Sequence, residues 1–194
     1  MIDGVRLPLD PGLVTWLLYK PAGVITTMDD PQNRPTVRAL VPDEPVTKPV
    51  GRLDLNSEGL LLMTNDGDLT NAVTHPRFGV PKTYQVLVPA PITDDRIRAL
   101  TEGIELEDGP AAARSARILT RSRDRSIVEL VLTEGRKREI RRMFDVLELP
   151  IERLVRTAIG PIVDRKLSPG TYRELTLGEI RSLYAATRQG TDDD

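Results

Sequence analysis

Residues 51–67, Gly-Arg-Leu-Asp-Leu-Asn-Ser-Glu-Gly-Leu-Leu-Leu-Met-Thr-Asn-Asp-Gly, set a polar turn directly before an unbroken apolar run and a tight-turn signal directly after it. An apolar run as continuous as Gly59–Thr64 suits a buried strand, and Asn65-Asp66-Gly67 supplies residues that accept the backbone angles of a tight turn. The polar turn therefore belongs at the mouth of a sheet. It carries the carboxylate of Asp54, with Arg52 two residues before it.

The rest of the chain repeats this grammar of short apolar segments and Gly/Pro punctuation. Leu13–Tyr19 reads as a buried strand ended by Lys20-Pro21-Ala22-Gly23, with a second strand expected at Val24–Thr27. Asp29–Pro35 is a loop before a short helix near Thr36–Val41, and Pro42, Pro45 and Pro49 keep the approach to the aspartate turn extended. Asp68 is expected to cap a short helix that reaches His75. Lys82–Val88 alternates as a half-buried strand with Tyr84, Val86 and Val88 on one side. Asp94–Gly103 reads as a helix with Ile97 and Leu100 inward.

Ala116–Thr120 and Ser126–Thr133 read as an antiparallel hairpin turning at Arg121–Arg125. From Lys137 the period changes: Ile140, Met143, Phe144 and Leu147 fall at i, i+3, i+4 and i+7, one apolar stripe of a helix from which Arg138, Arg141 and Arg142 project. Ile151–Ile159 returns to the sheet. Thr176 and Glu179 have capping-box spacing, so a last helix is expected to about Arg188, and residues 189–194 are expected to form a disordered acidic tail. Strands joined by hairpins, with helices interspersed, predict an α+β fold with a mixed, mainly antiparallel sheet and flanking helices.

At 194 residues the chain suits one domain or two subdomains sharing a core. It has no cysteine and a single histidine, His75, which excludes a disulfide framework, a thiolate metal site and a histidine cluster. A zinc enzyme or a hydrolase with a histidine base is thus not expected. No signal-peptide pattern or spanning apolar run is present, so a soluble, cytoplasmic protein without a membrane partner is expected. The formal charge of -2 conceals an uneven distribution: Arg136, Lys137, Arg138, Arg141 and Arg142 crowd one short segment. Such a face can hold phosphates although the whole chain is near neutral.

Four segments carry a resemblance. Lys20-Pro21-Ala22-Gly23-Val24, Gly51-Arg52-Leu53-Asp54 with its following strand, Lys82-Thr83-Tyr84, and the segment Glu134–Met143 together resemble the motifs of ribosomal-RNA pseudouridine synthases of the RsuA family. The resemblance implies the pseudouridine-synthase fold over residues 1–188, with two subdomains around a central cleft. Residues 1–12 are too short for the S4-like RNA-binding domain that many relatives carry first, so the likeness is to a short form.

In that reading Asp54 is the catalytic residue, Arg141 is the cation that contacts it, and Tyr84 stacks on the target uracil. Arg52 enters the RNA in place of the displaced base. Lys20, Lys82, Arg136, Lys137, Arg138 and Arg142 are expected to bind RNA, the last four through phosphates. Glu139 stands where the motif commonly has glutamine, and His75 is expected to be structural. The implied substrate is ribosomal RNA, with the large subunit favoured, and the implied protein is a monomer.

The chemistry agrees with these residue types. Converting uridine to pseudouridine exchanges a C–N for a C–C bond without net redox change, so no cofactor or metal is expected. It needs a nucleophilic carboxylate, a cation that keeps it ionised away from water, and a flat surface for the loosened base. Two rivals stand beside this reading. One is a catalytically silent RNA-binding or ribosome-assembly protein. The other is a glycoside hydrolase using Asp54 and Glu58, a class that sets its carboxyls about 5–9.5 Å apart.

Overall fold

The computed structural model describes residues 12–189, so the expected acidic tail lies outside the described residues apart from Gln189. Two compact units are present. The first takes the chain up to Val80 and again from Ala158, and the second takes Pro81–Thr157.

The first unit is organised on its most apolar strand. β1 (Thr15–Lys20) and β2 (Lys48–Val50) both pair antiparallel with β3 (Glu58–Thr64). Leu60, Leu61, Leu62 and Met63 are all essentially inaccessible, which is why the β3 sequence shows no polar alternation. α1 (Gly67–Thr74) follows. Its cap is Asp66, whose Oδ1 accepts from Leu69 N–H at 3.0 Å, while Tyr184 donates its hydroxyl to Oδ2 at 3.1 Å. Asp66 thus replaces the expected Asp68, because the helix begins one residue beyond the Asn65-Asp66 turn and the cap must precede the first helical residue.

The expected strand at Val24–Thr27 is also corrected: only a single bridge forms there, Ile25 to Thr36. Ile25 N–H instead donates to Pro35 O, and Ile25 O accepts from Thr27 and Val37 N–H, so the segment's polar groups are used locally. The helix expected near Thr36–Val41 is a 3₁₀ turn at Val37–Leu40.

In the second unit β4 (Lys82–Val88) is followed by α2 (Asp94–Glu102), in which Leu100 is fully buried and Ile97 partly so. β5 (Ile104–Leu106) and β6 (Gly109–Ala111) make a small separate hairpin. β7 (Ser115–Arg121) and β8 (Ser126–Leu132) form the predicted antiparallel pair, and β8 also pairs with β4. α3 (Glu139–Val146) buries Ile140, Met143 and Phe144, the stripe read from the sequence. These three share one core with Val86, Leu130 and Leu154. β9 (Arg153–Ile159) lies next to β4 and carries the boundary between the units within it.

The chain then completes the first unit. β10 (Ile162–Val163) pairs back on the end of β9, and β11 (Tyr172–Glu174) pairs with β1. α4 (Leu177–Gln189) starts with the predicted capping box: Glu179 N–H donates to Thr176 Oγ1 at 3.2 Å, and Thr176 N–H donates to Glu179 Oε2 at 2.8 Å. The whole is a mixed α/β fold, mostly antiparallel in its sheet, with helices at its flanks. Among the described residues no helix is long and apolar enough to cross a membrane.

Candidate functional site

Asp54 lies in the loop between β2 and β3, which are held together by the pairs Lys48–Thr64, Pro49–Met63 and Val50–Leu62. The loop starts at Gly51, whose φ of +71° is a conformation glycine adopts without steric cost. Lys20, the last residue of β1, sits opposite Gly59 at the same end of β3. The segment after β1 and the aspartate loop therefore leave the sheet together.

Contacts between these two segments are specific. Gly23 N–H donates to Leu55 O at 2.8 Å, Lys20 Nζ donates to Leu55 O at 3.4 Å and to Pro21 O at 2.9 Å, and Ser57 N–H closes a turn on Asp54 O at 3.0 Å. Leu53 is buried, Asp54 half-buried and Arg52 exposed. A carboxylate is thus presented from a hydrogen-bonded backbone two residues from an exposed guanidinium. Lys20 corrects an expectation: it is fully buried, with its ammonium turned onto main-chain carbonyls, so it holds the loop and offers no surface to RNA phosphates.

Tyr84 belongs to the second unit. It lies on β4 opposite Leu130 and packs, half-buried, against the core that includes Ile140 and Met143 of α3. Arg141, half-buried, follows Ile140 on that helix. Lys82 is two residues from Tyr84 and so on the same side of the strand. Burial, and then the neighbouring charge of Arg156, lower its pKa to about 8.

Arg156 is a residue that sequence reasoning missed. It is buried on β9, and the available signal was an arginine at the inward position of the alternating series Leu154, Arg156, Ala158. β9 lies alongside β4 through Glu152 N–H to Leu87 O at 2.9 Å and Thr157 Oγ1 to Thr83 O at 3.4 Å. A tyrosine with a lysine two residues along the same side of its strand is suited to an aromatic base in a polyanion.

The basic segment divides in two. Arg142 forms a two-pronged pair with Asp108, at 2.6 and 3.0 Å, and Arg136 binds Glu134 at 3.1 Å as well as the carbonyls of Gly109 and Pro110. Each partner shifts accordingly: the Arg142 guanidinium holds the Asp108 carboxyl below its usual range. These two arginines fasten the β5–β6 hairpin to the start of α3, which corrects their expected assignment to phosphates. Lys137 and Arg138 remain exposed, the latter at φ +52° as the residue preceding the helix.

Glu139 is buried at the head of α3, where its Oε2 accepts from Arg136 N–H at 3.1 Å. Burial foremost, with a hydrogen bond from Glu139 to the Glu134 carboxylate, raises its pKa to about 7. A protonated Glu139 presents an O–H and a C=O, which is how it can stand in for an amide side chain. His75 is exposed; its Nδ1 accepts from Arg77 N–H at 3.2 Å, a local turn contact. Among the described residues no group of His, Asp and Glu is arranged to hold a metal ion.

Comparison with known proteins adds a family context. A model of the RNA pseudouridylate synthases matches residues 14–145, which include Asp54, Tyr84 and Arg141. The chain is 41% identical over 172 residues to an uncharacterized RNA pseudouridine synthase of Aquifex aeolicus, covering 88% of this chain and 69% of that protein. It is 37% identical over 180 residues to ribosomal large subunit pseudouridine synthase B of Bacillus subtilis, covering 91% of this chain and 74% of that protein. A solved pseudouridylate synthase superposes with a TM-score of 0.77 at 33% identity, over 88% of this chain and 74% of that one.

Proposed function

The chain belongs to the RNA pseudouridylate synthase family, and on that premise we propose that it isomerises one uridine of large-subunit ribosomal RNA with Asp54 as nucleophile. The observation that carries the reading is the half-buried Asp54 in a loop whose backbone is hydrogen-bonded on its far side to Gly23 and Lys20, inside the span that the family model matches. The four motifs point to an RsuA-like member of the family. The preference for the large subunit is supported by relatives such as the Bacillus subtilis and Yersinia pestis synthases, which are large-subunit enzymes.

In the proposed reaction the Asp54 carboxylate attacks the target nucleotide and the N1–C1′ bond breaks. The uracil turns, C5 bonds to C1′, the bond to Asp54 breaks and returns the free carboxylate, the C5 hydrogen leaves to solvent as a proton, and N1 ends protonated. Arg141 supplies the positive charge that keeps Asp54 ionised where water is excluded, since a lone buried carboxylate would take up a proton. Tyr84 stacks on the uracil, an interaction worth about 1–3 kcal/mol that tolerates rotation of the base in its plane.

Arg52 fills the gap left by the extruded base, and extraction is the step that its removal should slow. Lys137 and Arg138 neutralise phosphates and position the RNA without choosing the base. The enzyme acts as a cytoplasmic monomer.

The test is a map of pseudouridine positions in ribosomal RNA from cells with and without this protein. One large-subunit position should disappear on deletion and return with the wild-type chain. An unchanged large-subunit map would refute the assignment of substrate.

A further inference from the structure

Thr26 belongs to none of the segments that carry the resemblance, yet its side chain touches the aspartate loop at the residue that precedes Asp54. The hydroxyl is buried. It donates to Leu53 O at 2.7 Å and accepts from Leu53 N–H at 3.2 Å, so one Oγ1 uses both of its capacities on the same residue. We propose that Thr26 is a positioning residue for the reaction, fixing the direction in which Asp54 presents its carboxylate. The proposal rests on the reading of Asp54 as nucleophile.

The argument is geometric. The peptide joining Leu53 to Asp54 is planar, so holding the Leu53 carbonyl sets the orientation of the whole linkage, including the Asp54 N–H. On the other side the Leu55 carbonyl is held by Gly23 N–H at 2.8 Å and Lys20 Nζ at 3.4 Å, and this fixes the next linkage but one. Asp54 is thus suspended between two anchors that both come from residues 20–26. Its own carbonyl is taken by Ser57 N–H at 3.0 Å. The backbone on both sides of the Asp54 side chain is thus held.

The segment that supplies the anchors is itself restrained. Gly23 turns at φ +82°, and Ile25 bridges to residues 35–37 through its N–H and carbonyl. The failure of Val24–Thr27 to form a strand therefore has a use: freed from a ladder, the segment lends its side chain to the loop. A hydroxyl at position 26 is required because the Leu53 N–H and C=O are both out of reach of water and need one acceptor and one donor. Valine has the same shape and supplies neither.

The experiment compares wild type, Thr26→Val, Thr26→Ala, Thr26→Ser and Asp54→Asn as full chains. Each is mixed in excess with unmodified transcripts of both ribosomal RNAs carrying tritium at C5 of uridine. Tritium release gives the single-turnover rate, filter binding gives RNA affinity, and thermal melting confirms the fold.

Thr26→Val should slow the chemical step by about 10- to 100-fold, the scale on which small misplacements of a reacting group act, with RNA affinity within about twofold of wild type. Thr26→Ser should recover to within about threefold of the wild-type rate, because it restores donor and acceptor. Should Val cost the fold, Ala is the second variant and the same split between rate and affinity is expected from it.

Three outcomes would overturn the role. They are a folded Val or Ala variant with the wild-type rate, a Ser variant as slow as Val, and a loss of RNA affinity that matches the loss of rate. A dead Asp54→Asn beside an unimpaired Thr26→Val removes the positioning role alone. Full activity in Asp54→Asn removes the premise and the role with it.

Discussion

A carboxylate works as a nucleophile only if it is aimed, and at the residue scale ordinary side chains hold the loop that carries Asp54. In the proposed reaction, aim comes from the pinned loop around Asp54, where buried Lys20 donates to main-chain carbonyls. In the proposed reaction the base stacks on Tyr84, whose half-buried ring is held by the core of its own unit. Tyr84→Phe should keep the stacking face and most of the single-turnover rate. Tyr84→Ala should lose about 1–3 kcal/mol of stacking, read as a rate decrease of roughly one to two orders of magnitude. Equal losses in the two variants would show that the hydroxyl does the work, or that the ring is only structural.

Elements were legible where their periodicity was driven by burial. The apolar β3, the alternating β4 and β8, and the stripe of α3 all read correctly, because each pattern follows directly from which face meets a core. The β5–β6 hairpin escaped because its strands are only three residues each and one of them is Gly-Pro-Ala, and its one clear mark was the turn pair Asp108-Gly109. Missing it hid the partners of Arg136 and Arg142, so two arginines in a basic run looked available to phosphates. Ala substitution at Arg142 or Asp108 should lower thermal stability and leave the salt dependence of RNA binding unchanged. A shallower salt slope in Arg142→Ala would return that residue to the RNA surface.

Glu139 gives α3 a pH dependence of definite sign. Its pKa rises from the usual 4.5 to about 7, so the folded state keeps a proton that the unfolded chain has released. Stability from this group is complete below pH 4.5 and is lost as pH rises through about 7. Glu134, held low by its hydrogen bond from Glu139 and by Arg136 against its own burial, works in the opposite direction on the acid side. Wild type should therefore lose melting temperature relative to Glu139→Gln between about pH 5 and 8, since the amide keeps its donor throughout. Parallel melting profiles would show that the Glu139 proton does not contribute.

At the scale of the molecule, Asp54 and Arg52 belong to the first unit and Tyr84 and Arg141 to the second. The sequence carried the motifs and hence the family, because a motif is a run of neighbouring residues that can be read without the fold. The anchoring of the aspartate loop was not legible, since it runs through Thr26, a residue distant in sequence whose hydroxyl acts only on backbone atoms. One measurement tests the central claim most directly: C5 tritium release from ribosomal RNA transcripts by wild type and Asp54→Asn at saturating enzyme. The account predicts that Asp54→Asn binds RNA as wild type does, melts at the same temperature and releases no tritium above background. Release at the wild-type rate would contradict it.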